Sequence, residues 1–185
     1  MKVETVYISI GSNVGDRHDF CDRALALLNL LPHTTVTGRS SYYETEPVGS
    51  AQLLGLTWFY NGVVRLDTQL HAQQLFDLCQ ETERGLGRDA ENRQGPRTMD
   101  LDILFFGQHT IHQPHLTIPH PRLHLRRFIL TPMIELDPAW NHPVLNTSMR
   151  ELFDQVRDSS QVQKLDVVPG SCYPNRPTCP PSFPR

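Results

Sequence analysis

Apolar and polar residues alternate with a period of two in several short stretches of the chain, which is the spacing of β-strands. In the first stretch, over 4–10, Val6, Ile8 and Ile10 alternate with polar or aromatic neighbours. The same criterion, with β-branched and aromatic enrichment and flanking turn residues, predicts the remaining strands over 36–43, 58–66, 100–106, 108–111 and 162–168.

Other stretches carry apolar residues three and four positions apart, as an amphipathic helix does. The first begins after Asp16, a suitable N-cap, and ends at Pro32. The second covers 69–86, with glycines at its end. Two shorter helices are predicted over 126–133 and 148–156.

The order of elements through residue 106 is strand, helix, strand, strand, helix, strand. This is the order of the α+β ferredoxin-like fold, a βαββαβ sandwich with an antiparallel sheet and helices on one face. The predicted fold adds the C-terminal helices to this core. It also puts the first and last of these strands side by side at the sheet centre.

Length and charge narrow the class of protein. The 185 residues suffice for one domain with a sizeable core, and the net charge of -3 provides no basic surface for nucleic acid. No apolar run reaches membrane-spanning length, and the start lacks a signal-peptide core. We therefore expect a cytoplasmic protein with one folded domain over 1–168 and a disordered, Pro-rich tail over 169–185.

The sequence Gly95-Pro96-Arg97-Thr98-Met99-Asp100-Leu101-Asp102 opens the predicted strand over 100–106. Because Asp100 and Asp102 are two residues apart, both carboxylates point to one face, while Leu101, Ile103 and Phe105 point into the core. Paired carboxylates next to arginines form either a surface salt-bridge network or a site for Mg²⁺ and phosphate. Residue types alone leave both interpretations open.

Histidine and cysteine offer weaker candidates for metal binding. His109, His112 and His115 recur at a spacing of three, but nearby prolines break any helix that would align them, and no Cys joins the set. A single His near phosphate is the favoured interpretation. Cys21 and Cys79 fall in the helical patterns and are predicted to be small core residues.

Several motifs in a fixed order resemble one family. They are Ile8-Ser9-Ile10-Gly11-Ser12-Asn13, Tyr43-Glu44-Thr45-Glu46-Pro47-Val48-Gly49, Phe59-Tyr60-Asn61, the Gly95–Asp102 motif, Ile118-Pro119-His120-Pro121-Arg122-Leu123 and Arg126-Arg127-Phe128. Over about residues 4–156 the chain resembles 6-hydroxymethyl-7,8-dihydropterin pyrophosphokinases of folate biosynthesis.

The resemblance implies transfer of pyrophosphate from ATP to the hydroxymethyl group of the pterin, which leaves AMP. It implies ATP as co-substrate and two Mg²⁺ ions held by Asp100 and Asp102. The implied catalytic residues are Arg93, Arg97, Asp100 and Asp102. The implied pterin-binding residues are Thr45, Val48, Phe59, Asn61 and Phe128. The implied ATP-binding residues are Gln80, Glu83, Arg88, Arg97, His120 and Arg126.

The chain departs from the family pattern around its long polar segment over 87–98, which we expect to act as a lid. Gln94 stands where the family often has Trp, Asp89-Ala90 follow Arg88 where a second Arg is common, and Pro121 replaces a common Tyr.

Two other functions fit the predicted fold. A nucleotidyltransferase also places paired Asp on such a sheet but needs a basic acceptor channel. A non-catalytic RNA-binding module needs a basic face and exposed aromatic residues on the central strands, where this chain has Asp.

Overall fold

The computed structural model describes residues 2–48, 57–88 and 95–165 of the chain. Within these ranges the strands are β1 Glu4–Ser12, β2 Thr34–Arg39, β3 Tyr43–Thr45, β4 Phe59–Thr68, β5 Asp100–Phe106, β6 Ile111–Gln113, β7 Leu116–Ile118 and β8 Val162–Lys164. The helices are α1 Arg17–Leu28, α2 Ala72–Gly85, a 3₁₀ turn Leu123–Leu125, α3 Arg127–Leu136 and α4 Met149–Gln155.

The main sheet has the order β5-β1-β4-β3-β8, and β2 also pairs with β4. The pairs of β1 with β4, β1 with β5, and both β2 and β3 with β4 are antiparallel. The single strand predicted over 36–43 is thus two strands that pair with opposite halves of β4. β5 does lie beside β1, as predicted, but at an edge of the sheet and not at its centre.

Helices cover both faces of the sheet. One apolar cluster joins Val6, Ile8 and Ile10 to residues of α1 and α2, including Cys21 and Cys79, which are buried as predicted. A second cluster joins Tyr7 on the opposite face to residues of α3 and α4. The predicted two-residue alternation of β1 is therefore confirmed on both faces.

Local signals also set the ends of two helices. The Asp16 carboxylate accepts the backbone N–H of Asp19 at the start of α1, as expected of an N-cap. Ser148 and Glu151 form a reciprocal capping box at the start of α4. None of the helices in the described ranges is long and apolar enough to cross a membrane.

A β-bulge in β5 corrects one prediction. Tyr7 pairs with Phe105 and Ile8 with Ile103, so Leu104 has no partner across the ladder. The extra residue turns Phe105 to the face of the second cluster, opposite Leu101 and Ile103. The prediction that Phe105 shares a face with them was wrong, because strict alternation fails at a bulge.

The segment after β5 also differs from the prediction. The edge strand expected over 108–111 does not form in this described segment. The chain instead turns at Gly107 and enters the hairpin of β6, which starts at Ile111, and β7. Gly107 has a φ of 51°, a turn conformation that glycine adopts without steric cost. The hairpin packs beside the outer edge of β5, and the His120 N–H donates to the Leu104 carbonyl oxygen at 3.0 Å.

Candidate active site

Three paired residues form a row across the neighbouring strands β4, β1 and β5. β1 lies between β4 and β5, and Gly11 of β1 is directly opposite Asn61 on one side and Asp100 on the other. Residues directly opposite in an antiparallel sheet share a face, so the Asn61 and Asp100 side chains lie on the same face. Asp102, opposite Ser9, lies on that face too, as the sequence predicts.

Glycine is required at the middle of this row. A Cβ at Gly11 would lie 2.5 Å from Asn61 Oδ1, well inside ordinary contact distance. The missing side chain leaves room for the Asn61 amide over β1, towards Asp100. Asn61 is buried, and its Nδ2 donates to Thr45 Oγ1 at 2.7 Å.

The predicted pterin-binding residues gather at this end of β4. Thr45 pairs with Phe59, and both lie on the Asn61 face because Asn61 is two residues from Phe59 along β4. Phe128 in α3 packs against the apolar cluster of the same face, and Val48 follows β3 in a half-buried position. Thr45 and Asn61 are hydrogen-bonded to each other, so they form one polar edge. The aromatic residues of the predicted set are Phe59 and Phe128.

A cleft of about 700 Å³ opens along the outer edge of β5, between α2 and the hairpin of β6 and β7. Five of the residues predicted to bind ATP line it: Gln80, Glu83, Arg88, Arg97 and His120. Asp102 lines it as well, whereas Arg126 is not among the lining residues. The positive charge of Arg126 nevertheless acts to lower the pKa of both Asp102 and His120.

Charged groups along this edge are closely paired. Arg88 Nη1 lies 2.6 Å from Asp100 Oδ1, and Arg88 also contacts Glu83. Arg97 contacts the second oxygen of Asp100. Glu83 Oε1 accepts the Leu101 N–H at 2.6 Å, which satisfies a backbone donor on the exposed edge of β5. The arginines therefore neutralise Asp100 while they line the cleft.

Burial shifts the proton equilibria of three groups here. It raises the pKa of Glu83 to about 7, although the Leu101 N–H and Arg88 oppose the shift. Burial and the negative charge of Asp100 raise the pKa of Asp102. Burial, with the positive charges of Arg126 and Arg122, lowers the pKa of His120 to about 4. His120 is therefore neutral at pH 7, and its Nε2 lies 4.0 Å from Asp102 Oδ2.

The donor set suits a hard divalent cation. Asp100 and Asp102 present carboxylate oxygens on one face, and Asp102 lines the cleft. Burial and the negative charge of Asp100 both raise the pKa of Asp102, and a cation between the two carboxylates would offset that charge. The residues in the described ranges contain no metal-holding cluster of three or more His, Cys, Asp or Glu. An ion on this pair would take its other ligands from phosphate and water.

Comparison with known proteins decides the family. The sequence model of the family described as 7,8-dihydro-6-hydroxymethylpterin-pyrophosphokinase (HPPK) matches residues 7–138. The chain belongs to the HPPK family. The resemblance inferred from the motifs is thus confirmed.

Curated relatives agree with this family. The 2-amino-4-hydroxy-6-hydroxymethyldihydropteridine pyrophosphokinase of Bacillus subtilis is 45% identical over 130 residues, 70% of this chain and 76% of the relative. The protein of that name from Pseudomonas aeruginosa is 38% identical over 141 residues, 76% of this chain and 85% of the relative.

Some relatives are much longer than this chain. The folic acid synthesis protein fol1 of Pneumocystis carinii is 37% identical over 84% of this chain, but the match spans only 20% of its own length. The structure of Plasmodium falciparum HPPK-DHPS wild type with pteroate matches with a TM-score of 0.66 at 16% identity. That match covers 83% of this chain and 44% of the other, and it supports the HPPK fold alone.

Sequence reasoning missed one wall of the cleft. The wall formed by Leu116 and Thr117 belongs to a hairpin that was not predicted, although Pro114, between Gln113 and His115, is a turn signal. Arg17, at the start of α1, lies on the opposite face of the sheet, where it stacks on the Tyr60 ring with Cζ 4.0 Å from its centroid and pairs with Glu44 at 2.8 Å. No short motif marks Arg17, because its partners are distant in sequence.

Part of the expected site cannot be compared with the structure. Arg93, a predicted catalytic residue, and the departures at Asp89, Ala90 and Gln94 lie outside the described residues. The remaining departure, Pro121, lines the cleft.

Proposed function

We propose that this chain transfers pyrophosphate from ATP to the hydroxymethyl oxygen of 6-hydroxymethyl-7,8-dihydropterin, giving AMP and the pterin diphosphate in folate biosynthesis. It acts as an ATP-dependent pyrophosphokinase (diphosphotransferase). Membership of the HPPK family and relatives named for this activity support the proposal. The observation that carries it is the row of Asn61, Gly11 and Asp100, which puts the Asn61 amide and the Asp100 carboxylate on one face.

The pterin side would use the paired Asn61 and Thr45. An Asn amide offers both a donor and an acceptor, which suits the mixed polar edge of a pterin ring. The Thr45 hydroxyl holds the Asn61 amide and fixes which of its groups faces the ring. Phe59 and Phe128 would stack on the flat heterocycle, and Val48 would close its side.

The nucleotide side would use the cleft along β5. Gln80 and Glu83 from α2 contribute polar groups to one wall, and Arg88 and Arg97 would turn from Asp100 to phosphate oxygens. His120, neutral at pH 7, would donate a hydrogen bond near the triphosphate without adding charge. Arg126 would provide positive charge behind it, and Arg93 remains part of the proposed catalytic set.

The chemistry needs positioning more than covalent participation. The pterin alcohol oxygen forms a bond to the β-phosphorus as the bond from this phosphorus to the bridging α-phosphate oxygen breaks, and AMP leaves with that oxygen. Holding the alcohol in line with this bond, and neutralising the charge that grows on the phosphoryl oxygens, are the tasks of the protein.

The proposed cofactor is Mg²⁺, with two ions expected. Asp100 and Asp102 would hold them, and the bound metal would supply charge neutralisation on the phosphate oxygens. Calorimetric titration with a non-hydrolysable ATP analogue should show tight binding with Mg²⁺ and weak binding without it. Equal affinity in both conditions would exclude the metal role.

The finer description of the fold is part of the proposal. The order βαβββαβ, in which β2 and β3 stand in place of one strand of the βαββαβ pattern and β5 lies next to β1, supports a ferredoxin-like sandwich extended by α3 and α4. We also propose a monomer in the cytoplasm, with the catalytic domain over 1–168 and small-molecule substrates only. The tail over 169–185 lies outside the described residues.

The decisive experiment is incubation of the purified protein with Mg-ATP and the hydroxymethyl pterin. Stoichiometric AMP and pterin diphosphate are expected. Release of ADP, or no pterin-dependent release of AMP, would refute the proposal. Omission of the pterin is the control, because an unrelated ATPase would hydrolyse ATP without it.

A further inference from the structure

Helix α3 begins with backbone donors that its own N-cap residue does not satisfy. Arg126 occupies the N-cap position, and its side chain makes no capping hydrogen bond within the described ranges. The first N–H groups of a helix have no partner inside the helix, so an acceptor has to come from elsewhere. Because the proposed nucleotide site uses an Arg at position 126, the usual capping residues Ser, Thr, Asp and Asn are excluded there.

Asp158, 31 positions after Arg127, supplies the acceptor. Its Oδ2 accepts the Arg127 N–H at 2.9 Å, and its Oδ1 accepts the Ser160 N–H at 2.9 Å. Burial opposes ionisation of Asp158, but the hydrogen bonds from Ser160 and Arg127 outweigh burial and lower its pKa. The helix dipole also favours a negative charge at this end. An ionised carboxylate from a distant segment therefore caps α3.

The segment that carries Asp158 is itself fixed to β3. The Gln161 carbonyl oxygen accepts the Glu46 N–H at 2.9 Å, and the Gln161 N–H donates to Glu46 Oε2 at 3.1 Å. Directly after Gln161, Val162 of β8 pairs with Thr45. Asp158 is thus held in place relative to the strand that contributes Thr45 to the proposed pterin site.

The residue next to the capped N–H is Phe128, which is proposed to stack on the pterin. Phe128 is half-buried in the first turn of α3, so the position of its ring depends on where the helix begins. Stacking depends on the distance and angle between rings. A shift of the helix start would therefore move the Phe128 ring relative to the polar edge formed by Thr45 and Asn61.

We propose that Asp158 is a positioning residue for the pterin, because it fixes the start of α3 relative to β3 and so sets where the Phe128 ring lies. The inference rests on the proposed function. Stacking on Phe128 acts on the bound pterin before and during the reaction alike. A displaced ring should therefore raise the pterin KM without lowering kcat.

Asp158→Ala, which removes both acceptor oxygens, tests the proposal in the AMP-release assay. We expect the pterin KM to rise about three- to tenfold, the range of one aromatic stacking interaction, while kcat stays within about twofold of the wild type. Asp158→Asn keeps one acceptor oxygen and should give a KM between those of the Ala variant and the wild type. Nucleotide affinity, measured by calorimetry, should change less than the pterin KM, since Arg126 does not line the cleft.

Ser148→Ala is the matched control. Ser148 caps α4 through the Glu151 N–H at 3.2 Å, but α4 carries none of the proposed pterin-binding residues. Both Ala variants lose a helix cap and should unfold at a lower temperature than the wild type. Only Asp158→Ala should raise the pterin KM. An equal rise in the control would overturn the inference, because general destabilisation would then explain the effect.

Phe128→Ala shows whether Asp158 acts through the ring. If it does, adding Asp158→Ala to the Phe128→Ala protein should leave the pterin KM unchanged. Two independent effects would instead multiply, and that result would overturn the inference. If Asp158→Ala does not fold, Asp158→Asn takes its place in the same comparison.

The outcomes separate the failure of the inference from that of the proposed function. A wild type without pterin-dependent AMP release refutes the proposed function. An active wild type in which Phe128→Ala leaves the pterin KM unchanged refutes the role of Phe128 and, with it, the inference. An active wild type whose folded Asp158→Ala variant has a pterin KM within about twofold refutes the inference alone.

Discussion

Substitution of Gly11 by Ala tests the row of Asn61, Gly11 and Asp100 most directly. The new Cβ would lie 2.5 Å from Asn61 Oδ1, so ordinary contact requires a shift of roughly 1 Å. The Asn61 amide cannot give way freely, because it is buried and bonded to Thr45 at 2.7 Å. We expect the amide to be displaced from the pterin edge.

The magnitude follows from this displacement. A misplacement of about 1 Å near the reacting groups costs roughly 100-fold in rate, equivalent to about 3 kcal/mol of transition-state stabilisation. Overpacking a buried position destabilises a fold by about 1–3 kcal/mol. We expect Gly11→Ala to lower kcat/KM for the pterin about 100-fold and to leave nucleotide affinity near that of the wild type.

The assay is pterin-dependent AMP release, with calorimetry for each substrate and thermal unfolding for the fold. Gly85→Ala is the matched control, since a Cβ there meets nothing within 4 Å. Its activity should not change, and its stability should rise by about 0.4–1 kcal/mol. A folded Gly11→Ala protein with pterin KM and kcat within twofold of the wild type would refute the reasoning. Equal loss of both substrate affinities would indicate local unfolding instead.

Two further substitutions test the metal pair and a distant ion pair. Asp102→Ala should abolish AMP release while circular dichroism and thermal unfolding stay close to those of the wild type; turnover near the wild-type rate would exclude its metal role. Glu135 accepts hydrogen bonds from Ser41, Tyr43 and Lys164, which outweigh the effect of burial and lower its pKa. Glu135→Gln should therefore destabilise the protein by about 1–2 kcal/mol at pH 7. Because a lowered pKa stabilises the folded state only above the titration range, this difference should shrink as denaturant unfolding is repeated at successively lower pH, through the range in which Glu135 is protonated. A constant difference at all pH values would contradict the assignment.

Much of the fold follows from local patterns along the chain. The two-residue alternation of β1 and the cap at Asp16 concern residues close in sequence, and the structure agrees with each. The shared face of Asp100 and Asp102 follows from the pleat of one strand. The family resemblance added the candidate residues, which no local pattern distinguishes from surface groups.

Other features required the register between strands. The bulge that turns Phe105 to the other face has no mark in its own strand, because it arises from pairing with Tyr7 and Ile8. The predicted strand over 36–43 divides because it pairs with two parts of β4.

The sequence by itself determined the alternation of β1, the N-cap of α1, and that both carboxylates of β5 face one way. Only the tertiary structure decided that Gly11 lies between Asn61 and Asp100, and that Asn13 holds both Thr57 and Arg97. The reason is physical: alternation and capping act over a few neighbouring residues, whereas the site joins residues from 44 positions apart, as Asn13 and Thr57 are, to 89 positions apart, as Gly11 and Asp100 are.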